Sequence, residues 1–98
     1  MFPVRAGRGG GVNGRRVYGN PDVDWLYNLE PGDYACAPGG KVWYCRTPNG
    51  ALGNLGAHAI TEHEDRTITV SPSILVSSAG PERPGWHGFL ERGVWREC

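Results

Sequence analysis

Ala57-His58-Ala59-Ile60-Thr61-Glu62-His63-Glu64-Asp65-Arg66-Thr67-Ile68-Thr69-Val70-Ser71 is the stretch that decides the fold. Two runs that alternate apolar with polar residues flank a charged tip, which is the pattern of a half-buried antiparallel hairpin and not of a helix. Centring the turn on Glu64-Asp65 pairs Thr61 with Ile68 and Ala59 with Val70. Ala57, Ala59, Thr61, Ile68 and Val70 then share an apolar face, and His58, Ile60, Glu62, Thr67 and Thr69 share a wet one. Pro72 has no N–H to give to a ladder, so the strand is expected to end, bend or lie at an edge there. Ile74-Leu75-Val76 resume the apolar set.

Outward from this hairpin the same grammar repeats. Lys41–Arg46 reads as a strand, with Val42 and Tyr44 on one side and Trp43 and Cys45 on the other. Thr47-Pro48-Asn49-Gly50, Pro38-Gly39-Gly40 and Pro31-Gly32-Asp33 are turns. Val23–Asn28 is a strand or an approach segment, and residues 77–85 form a loop. Phe89-Leu90 and Val94-Trp95 bracket Glu91-Arg92-Gly93 as a second hairpin, with Gly93 placed for a left-handed turn position. Short strands with turn signals between them, without a helical period or an internal repeat, imply an all-β chain, a small antiparallel sandwich or open barrel.

Composition divides the 98 residues in two. Residues 1–20 hold Arg5, Arg8, Arg15 and Arg16, no acid, and six of the 16 glycines. Such a segment loses too much backbone entropy to fold alone, so 1–20 is expected to be an extended Gly/Arg-rich arm, flexible or ordered by a partner, ahead of a single β domain over 21–98. The arginines, with Tyr18, Trp25 and Tyr27 just beyond them, are the candidate partner-binding residues. Leu, Ile, Val and Phe total only 19, and four Trp and four Tyr replace the missing aliphatics. Trp43, Trp86 and Trp95 are therefore expected in the core. No apolar run approaches the ~18 residues of a membrane span, and no charged and apolar leader pattern is present.

The candidate chemistry is sparse. Cys36, Cys45 and Cys98 form no Cys-x-x-Cys pair. With Pro38-Gly39-Gly40 as the turn, Cys36 faces Val42 and Cys45 faces Asp33, too far apart to bridge, so free thiols are expected. Cys45, His58, His87 and Cys98, with His63 near them, are the residues that could ligate a soft metal, but their spacing does not write a zinc site. No metal, no cofactor and no catalytic residue are assigned. The Glu62–Arg66 cluster sits at a convex tip, a poor place to exclude water. The Gly7–Gly11 run lacks the Gly-Lys-Ser/Thr ending of a phosphate-binding loop.

From Trp43 onward the chain resembles small proteins of unknown function common in bacteriophages and prophages. The matching pieces are Trp43-Tyr44-Cys45, His58–Asp65, Thr67–Ile74 with its Ser71-Pro72-Ser73-Ile74, and Trp86-His87-Gly88-Phe89-Leu90 followed by Gly93-Val94-Trp95. Many such proteins look like small zinc-binding β folds with a Cys-Pro-x-Cys pair and a Cys-His pair. Cys45 and His87 match one member of each, while Arg46-Thr47 and Trp86 stand where other members differ. Arg66 holds the turn position where Gly would ease a tight hairpin. The resemblance implies phage origin. The expectation is a non-enzymatic, virion-associated accessory, such as a head decoration or minor structural component. Its partners would be other phage structural proteins or itself, its location the virion or the host cytoplasm, neither secreted nor membrane-bound. The alternative is a host-takeover or regulatory factor that binds a host protein, or nucleic acid through the arm, with a structural zinc.

Overall fold

The computed structural model describes residues 11–18, 25–78 and 80–98. The chain is all-β, and its strands form two sheets that enclose one apolar layer. In chain order the strands are β1 (Val12–Asn13), β2 (Arg15–Tyr18), β3 (Asp33–Cys36), β4 (Trp43–Arg46), β5 (Leu52–Asn54), β6 (Ala59–Glu62), β7 (Ile68–Val76), β8 (Trp86–Glu91) and β9 (Val94–Glu97). One sheet runs β1-β9-β8-β7-β6 and the other β2-β3-β4-β5. Neither closes on itself, so the molecule is a sandwich and not a barrel. Every ladder is antiparallel except β2 with β3.

The core is aromatic, as the composition demands. Trp43, Trp86 and Trp95 are all buried, together with Tyr34, Cys45, Leu55, Ile68, Val70, Ile74 and Leu90. Trp86 and Trp95 meet edge to face with ring centroids 5.4 Å apart. Burying an indole removes roughly 200 Å² from water, worth about 5 kcal/mol at ~25 cal/mol per Å², so these three rings stand in for many aliphatics. β8 shows the alternation plainly: Trp86, Gly88 and Leu90 point inward, and His87, Phe89 and Glu91 point outward.

Three sequence expectations need correction. The β6–β7 register is one residue off: Ile60 pairs with Val70, Thr61 with Thr69 and Glu62 with Ile68. The loop has three residues and not four, because Arg66 takes φ 75° and the His63 N–H donates to the Thr67 carbonyl at 2.8 Å. An odd loop flips the faces of β6, so Ile60 packs against the core while Ala59 and Thr61 are exposed. At β3–β4 the shift arises from four residues where three were expected. The Ala37 N–H donates to the Val42 carbonyl at 2.7 Å, Gly39 and Gly40 both have positive φ, and Cys36 faces Trp43 while Cys45 faces Tyr34. All three cysteines are free. Trp25–Asn28, the described part of the expected Val23–Asn28 strand or approach segment, is a 3-10 turn, with Leu29 N–H donating to the Leu26 carbonyl; Val23 and Asp24 lie outside the described residues. At Pro72 β7 neither ends nor lies at an edge, since it runs on between β6 and β8; its register with β8 shifts there, between Val70 and Ile74.

The expected arm is corrected in its second half. Residues 12–18 are strands of the body, and residues 1–10 and 19–20 lie outside the described residues. β1 adds to β9 in one sheet, then Gly14 carries the chain across to add β2 to β3 in the other. The Gly14 N–H donates to the Gly93 carbonyl at 2.7 Å, and Arg15 N–H to the Gly32 carbonyl at 3.1 Å. The glycine-rich chain cannot fold alone, but here the partner that orders it is its own domain. A Cβ on Gly14 would stand 2.8 Å from Trp95 Nε1, 2.9 Å from Tyr34 Cε1 and 3.0 Å from the Gly32 carbonyl oxygen. Gly14→Ala is therefore expected to destabilise the protein by about 2–4 kcal/mol, through overpacking and loss of the indole hydrogen bond. Urea unfolding followed by tryptophan fluorescence measures this, and a change below about 0.5 kcal/mol would remove Gly14 from its proposed role.

Candidate functional site

The arginines expected to reach a partner are engaged within the chain where they are described. Arg15 makes a two-pronged contact with the buried Asp33 carboxylate, Nε to Oδ1 at 3.0 Å and Nη2 to Oδ2 at 2.8 Å. The carboxylate beside it raises the Arg15 pKa. Asp33 also accepts the Glu30 N–H at 2.8 Å, so it ties β2, β3 and the turn before β3 together. Arg16 lies over the rings of Tyr18 and Trp43, 4.8 Å from each centroid, and pairs with Glu62. Its Nη1 also donates to the Arg66 carbonyl at 3.2 Å. Arg16 thus bridges an edge strand of one sheet to an edge strand of the other. Arg5 and Arg8 lie outside the described residues.

The aromatic candidates separate. Trp25 is half-buried and packs edge to face on Tyr44 at 5.9 Å. Tyr18 is 60% exposed and its hydroxyl accepts a hydrogen bond from Arg66 at 3.3 Å. Tyr27 is 74% exposed.

The soft-ligand candidates do not all converge. Cys45 faces inward, fully buried, and desolvation pushes its thiol up to about 12 despite a hydrogen bond from the Gly53 backbone. His58, His87 and Cys98 gather around Ser73, at the register shift in β7. His58 Nε2 donates to the Ser73 carbonyl at 3.0 Å, and its buried Nδ1 has no hydrogen-bond partner among the described residues. His87 Nε2 lies 3.1 Å from Ser73 Oγ and 3.9 Å from Cys98 Sγ. His63 stands apart, bonded to Thr69 Oγ1 at 2.7 Å. Among the described residues no group of three or more His, Cys, Asp and Glu side chains is placed to hold a metal ion.

His87 belongs instead to a surface that sequence reasoning missed. On the outer face of the five-stranded sheet it is flanked by Leu75, its cross-strand partner on β7, and by Phe89 two residues on. Leu75 is 68% and Phe89 38% exposed. Arg96, opposite Phe89, and Glu91 pair with each other beside them. The alternation of β8 contains this signal, because Phe89 is out of phase with Trp86 and Leu90. Ile74-Leu75-Val76 read as one apolar set in sequence, but Leu75 points outward.

Two consequences are measurable. In the folded protein Cys98 is expected to react first with a thiol reagent at pH 8, and Cys45 only on unfolding, because a thiol with a pKa near 12 holds about 10⁻⁴ of its population as thiolate there. Mass spectrometry of the labelled native and denatured protein separates the two. Glu62, held below its ordinary 4.5 by the Arg16 hydrogen bond, and Asp65, held below its ordinary 3.8 by Thr67, give a second test. A lowered carboxylate pKa stabilises the fold above the ordinary value and ceases to do so as pH falls through the folded-state value. The melting temperature is therefore expected to drop below about pH 4.5, and Glu62→Gln to shrink that drop.

No helix among the described residues is long and apolar enough to cross a membrane. Comparison of the chain with protein-family models, with curated proteins and with solved structures finds no match.

Proposed function

We propose that this chain is a non-enzymatic module that works by protein contact, and in its most specific form an accessory component of a phage particle. One observation carries the reading: Leu75 and Phe89 stand in water on the outer face of a regular sheet, beside His87 and with Arg96 and Glu91 next to them. A small domain short of Leu, Ile, Val and Phe gains nothing in its own fold from exposing two of them. An apolar centre with a charged margin is the anatomy of a contact surface. A sheet face also holds its side chains rigidly, so little conformational entropy is lost on docking. The phage assignment comes from the resemblance carried by Trp43–Trp95 and supplies the setting for the contact.

The rival reading, a host-directed factor that binds nucleic acid through a basic arm, draws on four arginines. Pairing of Arg15 with Asp33 and of Arg16 with Glu62 takes two of them out of that role, which weakens its support.

Particles of the phage or prophage that encodes the chain are expected to contain it, as mass spectrometry of purified virions would show. The double variant Leu75→Asp, Phe89→Ser changes exposed positions only. It is expected to melt within a few degrees of the parent and to enter particles at least about tenfold less. Undiminished incorporation would sink this surface as the contact, and absence of the parent protein from virions would sink the particle assignment.

A further inference from the structure

A cleft of about 510 Å³ opens on the flank of the sandwich, between the β4–β5 turn and the loop that joins β7 to β8. Its size is that of a small-molecule site. It is distinct from the outer face of the five-stranded sheet, and none of the residues in the proposed contact surface lines it.

Local sequence builds the walls. Gly50 takes φ 93° to close the Thr47–Gly50 turn, and the Thr47 hydroxyl, fully buried, donates to Asn49 Oδ1 at 2.6 Å and accepts the Ala51 N–H at 3.0 Å. Asn49 then reaches over to donate to the Gly85 carbonyl at 3.1 Å, which fastens the opposite wall. That wall is itself a closed turn, with Arg83 N–H to the Gly80 carbonyl at 3.0 Å and the Ser78 hydroxyl directed to the carbonyls of Gly80 and Arg83. Gly85 cannot carry a Cβ, because it would run into the Val76 carbonyl. The cleft is therefore held by hydrogen bonds on both sides.

Its chemistry is lopsided. Ala51, Leu52, Val76 and Pro84 supply apolar surface, and the exposed Tyr27 ring belongs to the lining. Arg46 and Arg83 both line the space, against one carboxylate, Glu82. Among the described residues neither arginine forms an ion pair, in contrast to Arg15, Arg16 and Arg96. Arg46 donates from Nη1 to the Gly50 carbonyl at 2.8 Å, and its Nε is buried without an acceptor. A guanidinium that is always charged, partly buried and short of an acceptor favours an anion beside it.

We infer that this cleft binds a small amphipathic anion, a carboxylate or phosphate group on an apolar or aromatic body. The anion lies between Arg46 and Arg83, and the body lies on Leu52, Val76 and Pro84 with Tyr27 beside it. Each guanidinium offers charge-assisted donors in a fork that fits either group, so the lining specifies the shared chemistry and leaves the identity of the anion to measurement.

The test titrates benzoate, phenyl phosphate, inorganic phosphate and neutral benzyl alcohol into the full chain, followed by two-dimensional NMR including the arginine Nε–H signals. Benzoate or phenyl phosphate is expected to shift Arg46 Nε–H and the amides of Ala51, Leu52, Ser77 and Arg83 in a saturable way. Inorganic phosphate and benzyl alcohol are each expected to bind at least about tenfold more weakly, since each lacks one half of the contact. A preference between benzoate and phenyl phosphate tells which anion the fork takes. Arg83→Gln, at an exposed position, is expected to weaken binding about tenfold, and Glu82→Gln to tighten it about twofold by removing the like charge. Shifts confined to other residues, equal binding of benzyl alcohol, or affinities unaffected by both variants would overturn the inference.

Discussion

The indole N–H of Trp95 donates to the Gly32 carbonyl at 2.9 Å, buried between the two sheets, and the rest of the sandwich depends on that contact. Trp95 belongs to β9 in the five-stranded sheet and Gly32 to the turn that feeds β3 in the four-stranded one. An indole buried this deeply needs an acceptor, because an unpaired N–H in the core would cost about 1–3 kcal/mol. The acceptor is available only because Gly32 adopts φ 92°, and the approach is possible only because Gly14, between β1 and β2, has no side chain. Two glycines and one tryptophan thus fix the relation of the sheets at one end. Gly93 adds to the same corner: its carbonyl receives the Gly14 N–H, and its N–H donates to the Ile68 carbonyl at 2.9 Å.

That corner also determines what the basic N-terminal segment can do. Once residues 12–18 are strands, Arg15 falls beside Asp33 in the parallel ladder and Arg16 reaches Glu62 across the gap between sheets. Charges that would steer a nucleic acid from a free tail instead hold the edges of the sandwich together. Arg16 lies across Trp43 and Tyr18, so its stem and plane cover aromatic surface as well as pairing charge. Two surfaces among the described residues remain distinct from these engaged arginines, the outer face around Leu75 and Phe89 and the cleft lined by Arg46 and Arg83. They differ in chemistry, one apolar with a charged margin and the other a cationic recess.

Much of the fold was legible. The alternation in Trp86–Glu91 and Trp43–Arg46, the turn at Thr47–Gly50 and the left-handed Gly93 all follow from local pattern. What failed was parity. Arg66 at φ 75° makes the β6–β7 loop odd, and a four-residue Pro38–Lys41 loop makes β3–β4 even, and each changes the register by one. Residue type does not reveal this, since an arginine rarely takes a left-handed conformation and the body of the protein must impose it. The candidate site was less legible still. Tyr27, Arg46 and Arg83 line one cleft but lie far apart in sequence, and no local pattern joins them.

By itself the sequence determined the class of this protein. Periodicity of two with glycine and proline punctuation excludes helices, and a shortage of aliphatics forces tryptophan into the core. Both follow from local geometry and from the area each side chain can bury. Only the tertiary structure decided where residues 12–18 belong. The Gly11-Val12-Asn13-Gly14-Arg15-Arg16 stretch has no preference strong enough to overcome its backbone entropy, and only two waiting sheet edges and a corner without room for a side chain supply the difference. The same is true of the cleft, which Arg46 at the end of β4 and Arg83 in the β7–β8 loop both line, with Asn49 tying the turn after β4 to Gly85.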